Sequence, residues 1–315
     1  MDEALFETAL KQKTGEVQTI ISDVLSGYLK EKEEPCVQTI LDAMEYSFLA
    51  GGKRLRPLLM RETYRLFDQN LEGKETLGTF MTALEMIHTY SLVHDDLPAM
   101  DNDEYRRGKE TTWKVYGDGM AVLAGDALMN SAFEIAFREI DDLMEEGRTQ
   151  AEIGRAAQCG VILSRKAGID GMLGGQVADV EAEKKHLPMD LQKILFIHEK
   201  KTAALIETAM GIGAELAGAS KEEYEKVVEI ARKVGIAFQI QDDVLDVIGD
   251  SAELGKHVGS DAESGKETFV TLRGLEISQR EVKRLSDEAI ELLGDLPGDH
   301  AFLEELIRHL IYRRK

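Results

Sequence analysis

Apolar residues recur at helical spacing along nearly the whole chain, and the alternation of a half-buried strand is scarce. Val227, Ile230, Val234, Ala237, Val244 and Ile248 advance in steps of three, four and seven, which draws one stripe along a helix. The same period predicts helices over residues ~3–29, ~36–49, ~54–67, ~76–97, ~119–140, ~151–166, ~190–217 and ~267–312. Breakers fall between them: Pro35, Gly51-Gly52, Gly73, Gly117, Gly147, the stretch from Gly168 to Gly175, Pro188 and Gly218. Asp190, and Ser220 ahead of Glu222-Glu223, have the place and chemistry of helix N-caps. The pattern predicts an all-α protein, a bundle of many helices.

Of the 315 residues, 43% are apolar, enough to bury one large core. With 5 prolines, no linker-like composition and no repeat of solenoid period, the expectation is a single domain over 1–315. No run of 18 or more uncharged apolar residues is present, and the first residues, MDEALFETALKQK, are acidic with no apolar signal core. Cys36 and Cys159 are far apart and lack ligand spacing, so two buried, reduced thiols are expected. These features predict a cytoplasmic protein with no membrane partner. The net charge of -21 makes nucleic acid an unsuitable partner too.

Two aspartate clusters change the picture from a bundle to a candidate enzyme. One is Asp95-Asp96-Leu-Pro-Ala-Met-Asp101; the other is Asp242-Asp243-Val-Leu-Asp246. In the second, Gln239, Asp242, Asp243 and Asp246 stand at i, i+3, i+4 and i+7, on one helical face. Like charges this close destabilise a helix unless water or a cation compensates them. In the first, Asp95 and Asp101 would point apart on an ideal helix, so Pro98 is expected to end or distort it and return Asp101 towards Asp95. His88, Ser91 and Asp95 share one face. Oxygen-only donors suit Mg²⁺ or Mn²⁺ better than zinc.

Carboxylates cannot hold an anionic substrate without such an ion, but the chain also concentrates cations. Gly51-Gly52-Lys53-Arg54-Leu55-Arg56-Pro57 puts three of them into four residues where one helix breaks and the next starts. Arg106-Arg107-Gly108 follows the first aspartate cluster, Lys200-Lys201-Thr202 lies in a helical stretch, and Lys256 and Lys266 flank the segment after the second cluster. Two chemically different anion sites follow, one bridged by metal and one made of cationic side chains. An enzyme joining two diphosphates needs that combination.

The ordered run GGKRLRP, IHTYSLVHDDLPAMDNDEYRRGK, AGDAL, GMLGGQVAD, IHEKKTAALI, and FQIQDDVLDVIGD with LGKHVGSDAESGKETF resembles the trans-type (head-to-tail) isoprenyl diphosphate synthases, in particular the bacterial farnesyl diphosphate synthase branch. The resemblance extends from residue 51 to the C-terminal YRRK. It implies the isoprenoid synthase helical bundle with a central active-site cavity, as a homodimer. It places Asp95, Asp96, Asp101, Asp242, Asp243 and Asp246 on Mg²⁺ (Mn²⁺ as the alternative) bound to the allylic diphosphate. Arg106, Lys201, Lys256 and Lys266 match contacts to that diphosphate. Gly52, Lys53, Arg56, His88 and Arg107 match the isopentenyl diphosphate site, and Thr202 and Gln239 match polar groups facing the reacting carbons.

The implied reaction is ionisation of an allylic diphosphate, attack by the alkene of isopentenyl diphosphate, and loss of a proton to the released diphosphate. Tyr90 lies about 7.5 Å along the axis from Asp95, where an aromatic ring would close the floor of the chain pocket beside the small Ser91. In the family an aromatic residue at this position, combined with the four-residue spacing of DDxxxxD, resembles farnesyl producers. A geranylgeranyl diphosphate synthase is the alternative, and a non-catalytic subunit of a prenyl synthase is the alternative of another class. A terpene cyclase fits less well, because both DD motifs and Lys53 and Arg56 are present.

Overall fold

The computed structural model describes residues 2–32, 34–70, 75–184, 189–248 and 267–311. Lys256, Lys266, Gly73, Pro188 and the C-terminal YRRK lie outside the described residues. Two compact units are present, one made of Glu7–Arg61 and Asn70–Val161, the other of Met1–Phe6, Glu62–Gln69 and Ile162–Lys315. Among the described residues the secondary structure is helical, apart from one two-stranded hairpin.

In the first unit, α1 (Glu3–Lys30) contributes Val17, Ile21 and Leu25, spaced one turn apart and fully buried. After a short 3₁₀ turn at Pro35–Val37 come α2 (Gln38–Phe48) and the start of α3 (Leu55–Phe67). Then α4 (Glu75–Asp95) runs through the middle of the unit, buried from Leu77 to Val93 on almost every side. Such a helix carries no solvent face, so its ends are fixed by packing along its whole length. A hairpin of Tyr105–Arg106 and Lys109–Glu110 follows, with α5 (Thr112–Tyr116) and α6 (Asp118–Glu145) after it. Tyr28 of α1 meets Ser131 and Glu134 of α6 through its hydroxyl, at 2.8 Å from each. Among the described residues α6 is the one helix long and apolar enough to cross a membrane by length and composition. Its inner side, Ala121, Ala124, Leu128, Ala132 and Ile135, is buried in the unit.

The second unit takes in part of α7 (Gln150–Ala167) and the later helices. α8 (Met172–Lys184) forms where the run of glycines suggested only a break. The stretch expected as one helix over 190–217 is α9 (Leu191–Ile197), a π-helical turn at His198–Ala203, and α10 (Ala204–Leu216). Asp190 caps α9 as expected, accepting the Lys193 N–H at 2.9 Å. α10 is buried at every position from Ala204 to Ala214, the counterpart of α4. α11 (Lys221–Ile248) starts from a reciprocal cap, in which Ser220 N–H donates to Glu223 and Glu223 N–H to Ser220 Oγ. Its stripe from Val227 to Val244 is buried, while Ile248 is exposed. The expected helix over 267–312 is three: α12 (Phe269–Arg273), α13 (Leu275–Gly294) and α14 (Ala301–Ile311). Gly274 at φ 80° breaks the first junction, and Gly298, whose added Cβ would meet Leu66 O at 2.4 Å, holds the second. Of the thiols, Cys159 is buried as expected but Cys36 is exposed, because it stands in the open 3₁₀ turn.

Close backbone approach at Gly235 of α11 carries much of this packing: a Cβ there would sit 2.3 Å from Ala203 Cβ. Gly235→Ala is therefore expected to destabilise by about 1–3 kcal/mol. Gly154→Ala, in open space on α7, is expected to stabilise by about 0.5–1 kcal/mol. Thermal or denaturant unfolding of the two variants checks the contrast; equal effects would remove the close contact from the account.

Candidate active site

Four features of the first unit converge on α4. The loop before α3 needs three residues at positive φ, Gly51 (92°), Gly52 (130°) and Arg54 (49°). Glycine meets the first two without strain, whereas Arg54 is held there by its side chain. Its guanidinium donates to Gln18 Oε1 at 2.6 Å, Glu85 Oε1 at 2.7 Å and the Phe48 carbonyl at 2.6 Å. Two residues on, Arg56 Nη1 donates to His88 Nε2 at 3.2 Å, which fixes that imidazole as the neutral form with its proton on Nδ1. Burial, and then Arg56, Arg107, Arg54 and Arg106 around it, hold the His88 pKa well below the ordinary value. Burial also pushes the Arg56 guanidinium down, with Arg107 adding to the effect and Glu85 opposing it. Arg56 Nε is buried with no hydrogen-bond partner.

The hairpin brings in the rest. Arg107 and Gly108 occupy its two-residue turn, both at positive φ, as a type I′ turn requires. Arg107 Nη1 donates to the Gly51 carbonyl, and a Cβ on Gly52 would lie 2.5 Å from that same guanidinium. The φ of 130° is what favours glycine at 52, and the guanidinium uses the space its missing Cβ leaves. Gly52, Arg56, His88 and Arg107 are brought together, with Lys53 exposed on the same loop. Excess positive charge held in part out of water is the arrangement an anion relieves.

α4 ends at Asp95, and the chain folds back so that Asp101 N–H donates to the Asp95 carbonyl at 2.9 Å. The return expected from Pro98 is present. Asp96 is buried and receives Arg106 Nε at 2.7 and 2.9 Å, so these two expected substrate and metal residues neutralise each other. Burial pushes the Asp96 carboxyl up even so. One turn before Asp95, Tyr90 is buried, its ring set edge-on to His94 at 5.8 Å. His94 Nε2 in turn donates to the Val122 carbonyl at 3.1 Å, over Gly125, where any Cβ would strike the ring. Ser91 Oγ donates to the His88 carbonyl at 2.9 Å.

In the second unit the π-helical turn is gripped from two sides. A Cβ on Gly175 of α8 would lie 2.2 Å from Lys201 N, and one turn later Asp179 accepts Lys201 Nζ at 2.6 Å. Gly235 meets Ala203 in the same way, and one turn later Gln239 Oε1 accepts Thr202 Oγ1 at 2.8 Å. A π turn widens the helix and re-aims its side chains, a feature frequent at functional sites. Asp242 is half-buried, but Asp243 and Asp246 are buried. Asp243 Oδ2 accepts the Phe269 N–H at 3.0 Å and lies 3.5 Å from His198 Nε2. The acidic face of α11 is thus partly internal, which spacing alone did not indicate. Sequence reasoning also missed Glu85, Asp179 and His198, and gave Arg54 no role of its own, since each acts through a contact distant in sequence.

Among the described residues no three His, Cys, Asp or Glu side chains form a ready-made metal cage. The donors present are carboxylate oxygens, with Asp95 and Asp242 half-buried and Asp101 exposed. This suits Mg²⁺, which keeps waters and takes one or two carboxylates together with substrate phosphates.

A model of the Polyprenyl synthetase family matches residues 37–301. The farnesyl diphosphate synthase of Escherichia coli is 42% identical over 88% of this chain and 90% of its own. A putative chloroplastic geranylgeranyl pyrophosphate synthase of Arabidopsis thaliana is 45% identical over 84% of this chain and 70% of its own. A geranyltransferase of Helicobacter pylori, solved with magnesium and isoprenyl diphosphate, is 31% identical with a TM-score of 0.72, covering 95% of this chain and 96% of that one. The family match runs through the GGKRLRP loop, both aspartate clusters and the π turn, and on that ground the chain belongs to the polyprenyl synthetase family of prenyltransferases.

Proposed function

We propose that this prenyltransferase is a farnesyl diphosphate synthase, which condenses isopentenyl diphosphate with dimethylallyl and then geranyl diphosphate. The observation that carries this is the group of Arg56, Arg107 and neutral His88, in which burial and neighbouring guanidinium groups outweigh the fields of Glu85 on both arginines and of Asp96 on Arg107. A site for a second diphosphate that needs no metal explains why such repulsion is retained. Both units serve, in this proposal, one polyprenyl synthase domain over 1–315, acting in the cytoplasm.

Gly52, Lys53, Arg56, His88 and Arg107 hold isopentenyl diphosphate and orient its alkene, so the orientation entropy is lost on binding and not in the reaction. Asp95, Asp101 and Asp242 would hold Mg²⁺ for the allylic diphosphate, with Asp96, Asp243 and Asp246 supporting them from buried positions. When bound, Mg²⁺ supplies positive charge where the leaving diphosphate gains negative charge. Lys201 adds a fixed cation, steadied by Asp179. Arg106, and Lys256 and Lys266 outside the described residues, are assigned to the same diphosphate. Thr202 and Gln239 face the reacting carbons as a hydrogen-bonded pair. The final proton is assigned to the diphosphate released.

Product length is argued from Tyr90. Its ring is buried and packed against His94, so it would make a stiff floor for the growing chain. The Arabidopsis relative favours a geranylgeranyl product instead. For the dimer, α6 offers Leu123, Asn130, Phe137 and Met144 at intervals of seven, all exposed, with Phe137 63% accessible. An apolar heptad face with one polar position fits a second copy of the same helix.

Incubation with Mg²⁺, labelled isopentenyl diphosphate and geranyl diphosphate is expected to give labelled farnesol after phosphatase treatment. No label in a longer chain, beside an active control, would favour a non-catalytic subunit. Asp95→Asn is expected to lower kcat by about 100-fold or more. Tyr90→Ala should shift the product to longer chains; an unchanged spectrum would remove Tyr90 from the floor. Light scattering should find the wild type dimeric and Phe137→Glu largely monomeric, whereas an unaltered mass would exclude this face of α6.

A further inference from the structure

Arg54 is the one cation of GGKRLRP that faces inward, and its contacts with Glu85 raise a question of charge. Arg54 is 3% exposed and so is Glu85, and their 2.7 Å ion pair is sealed from water. Glu85 lies three residues before His88, on the same side of α4. It is also the carboxylate whose field opposes the lowering that burial and neighbouring guanidinium groups impose on Arg56 and Arg107. Two rungs therefore join the start of α3 to α4. Arg54 meets Glu85 in the inner one, and Arg56 meets His88 in the outer one.

We propose that Arg54 is a positioning residue for the isopentenyl diphosphate site: by occupying Glu85 it keeps that carboxylate from capturing Arg56, which stays available to the substrate. This role rests on the assignment of Arg56 and His88 to isopentenyl diphosphate made above. The backbone is consistent with it. Arg54 accepts the Leu58 N–H through its carbonyl at 3.1 Å and so opens α3, with Arg56 in the first turn. Its left-handed φ of 49° is a conformation that arginine adopts only when its surroundings enforce it. The Gln18, Glu85 and Phe48 contacts supply that enforcement, and the guanidinium also lies 5.4 Å over the Phe48 ring. Remove the positive charge at 54 and a buried carboxylate is left beside Arg56, with every electrostatic reason to bind it.

Steady-state kinetics on four proteins separate this role from simple bracing. Arg54→Gln is expected to raise the KM for isopentenyl diphosphate by about 10- to 100-fold while leaving the KM for geranyl diphosphate within about threefold. Arg54→Gln/Glu85→Gln, which removes the stranded carboxylate, should bring the isopentenyl diphosphate KM back to within about threefold of wild type. A brace would not be rescued by deleting its partner, so a double variant no better than the single one overturns the proposal. Equal rises in both KM values overturn it as well. Should Arg54→Gln fail to fold, the double variant decides by the same threefold criterion. Arg56→Gln is the reference: if it leaves the isopentenyl diphosphate KM unchanged, the site assignment falls and the role of Arg54 with it. If it raises that KM and Arg54→Gln does not, the role of Arg54 alone is wrong.

Discussion

The structure depends on one electrostatic constraint: a chain of net charge -21 has to bind small polyanions. Long-range attraction does not help it, because its general field repels them. Affinity must come from short-range cations held where water screens them poorly. In the first unit burial pushes the pKa of both Arg56 and Arg107 down, and neighbouring guanidinium groups add to it, Arg107 for Arg56 and Arg54 and Arg106 for Arg107. Their placement costs folding free energy, which an anion returns on binding. Where carboxylates take the place of cations, as proposed for Asp95, Asp101 and Asp242, a divalent ion would have to invert the local charge before a phosphate could approach.

Such placement needs a rigid frame, and each unit supplies one in the same manner. α4 is buried on almost every side and α10 at every position from Ala204 to Ala214, so neither can slide or roll without disturbing a close-packed interior. Site residues sit at their ends: Asp95 closes α4, and Lys201 and Thr202 occupy the π turn from which α10 begins. Glycines then bring neighbouring backbone close at those ends. Gly125 receives the His94 ring, Gly175 the Lys201 backbone and Gly235 the Ala203 methyl. In each case a short, stiff group is fixed (main chain, ring or methyl), and the polar group beside it is positioned through it.

Most of the helices were legible because burial on a helix leaves a 3.6-residue period, and α1, α2, α3 and α11 follow it closely. α8 was not legible, since its glycines read as breakers when they are in fact points of close packing. The division of 267–312 at Gly274 and Gly298 was hidden by an apolar pattern that continues across both. Asp95, Asp101, Arg56 and His88 could be proposed from spacing and local chemistry, because their neighbours in space are also near in sequence or in a strong motif. Glu85, Asp179 and His198 could not. Each is an ordinary residue in its own window and gains meaning from a partner 22 to 45 residues away, as Glu85 does from Arg54, Asp179 from Lys201 and His198 from Asp243.

The contacts missed by sequence share one physical pattern. In both units a charge of the motif is buried and satisfied internally, and its neighbour in the same motif remains nearer the surface. Asp96 is held by Arg106 beside the less buried Asp95, Asp243 by Phe269 N–H beside the half-buried Asp242, and Arg54 by Glu85 beside Arg56. An unpaired buried charge would be costly, but a paired one fixes backbone and direction for the group next to it. Duplicated charges in DDxxxxD, DDxxD and KRxR motifs are therefore not interchangeable ligands. One member of each pair anchors the segment, and the other stands nearer the surface.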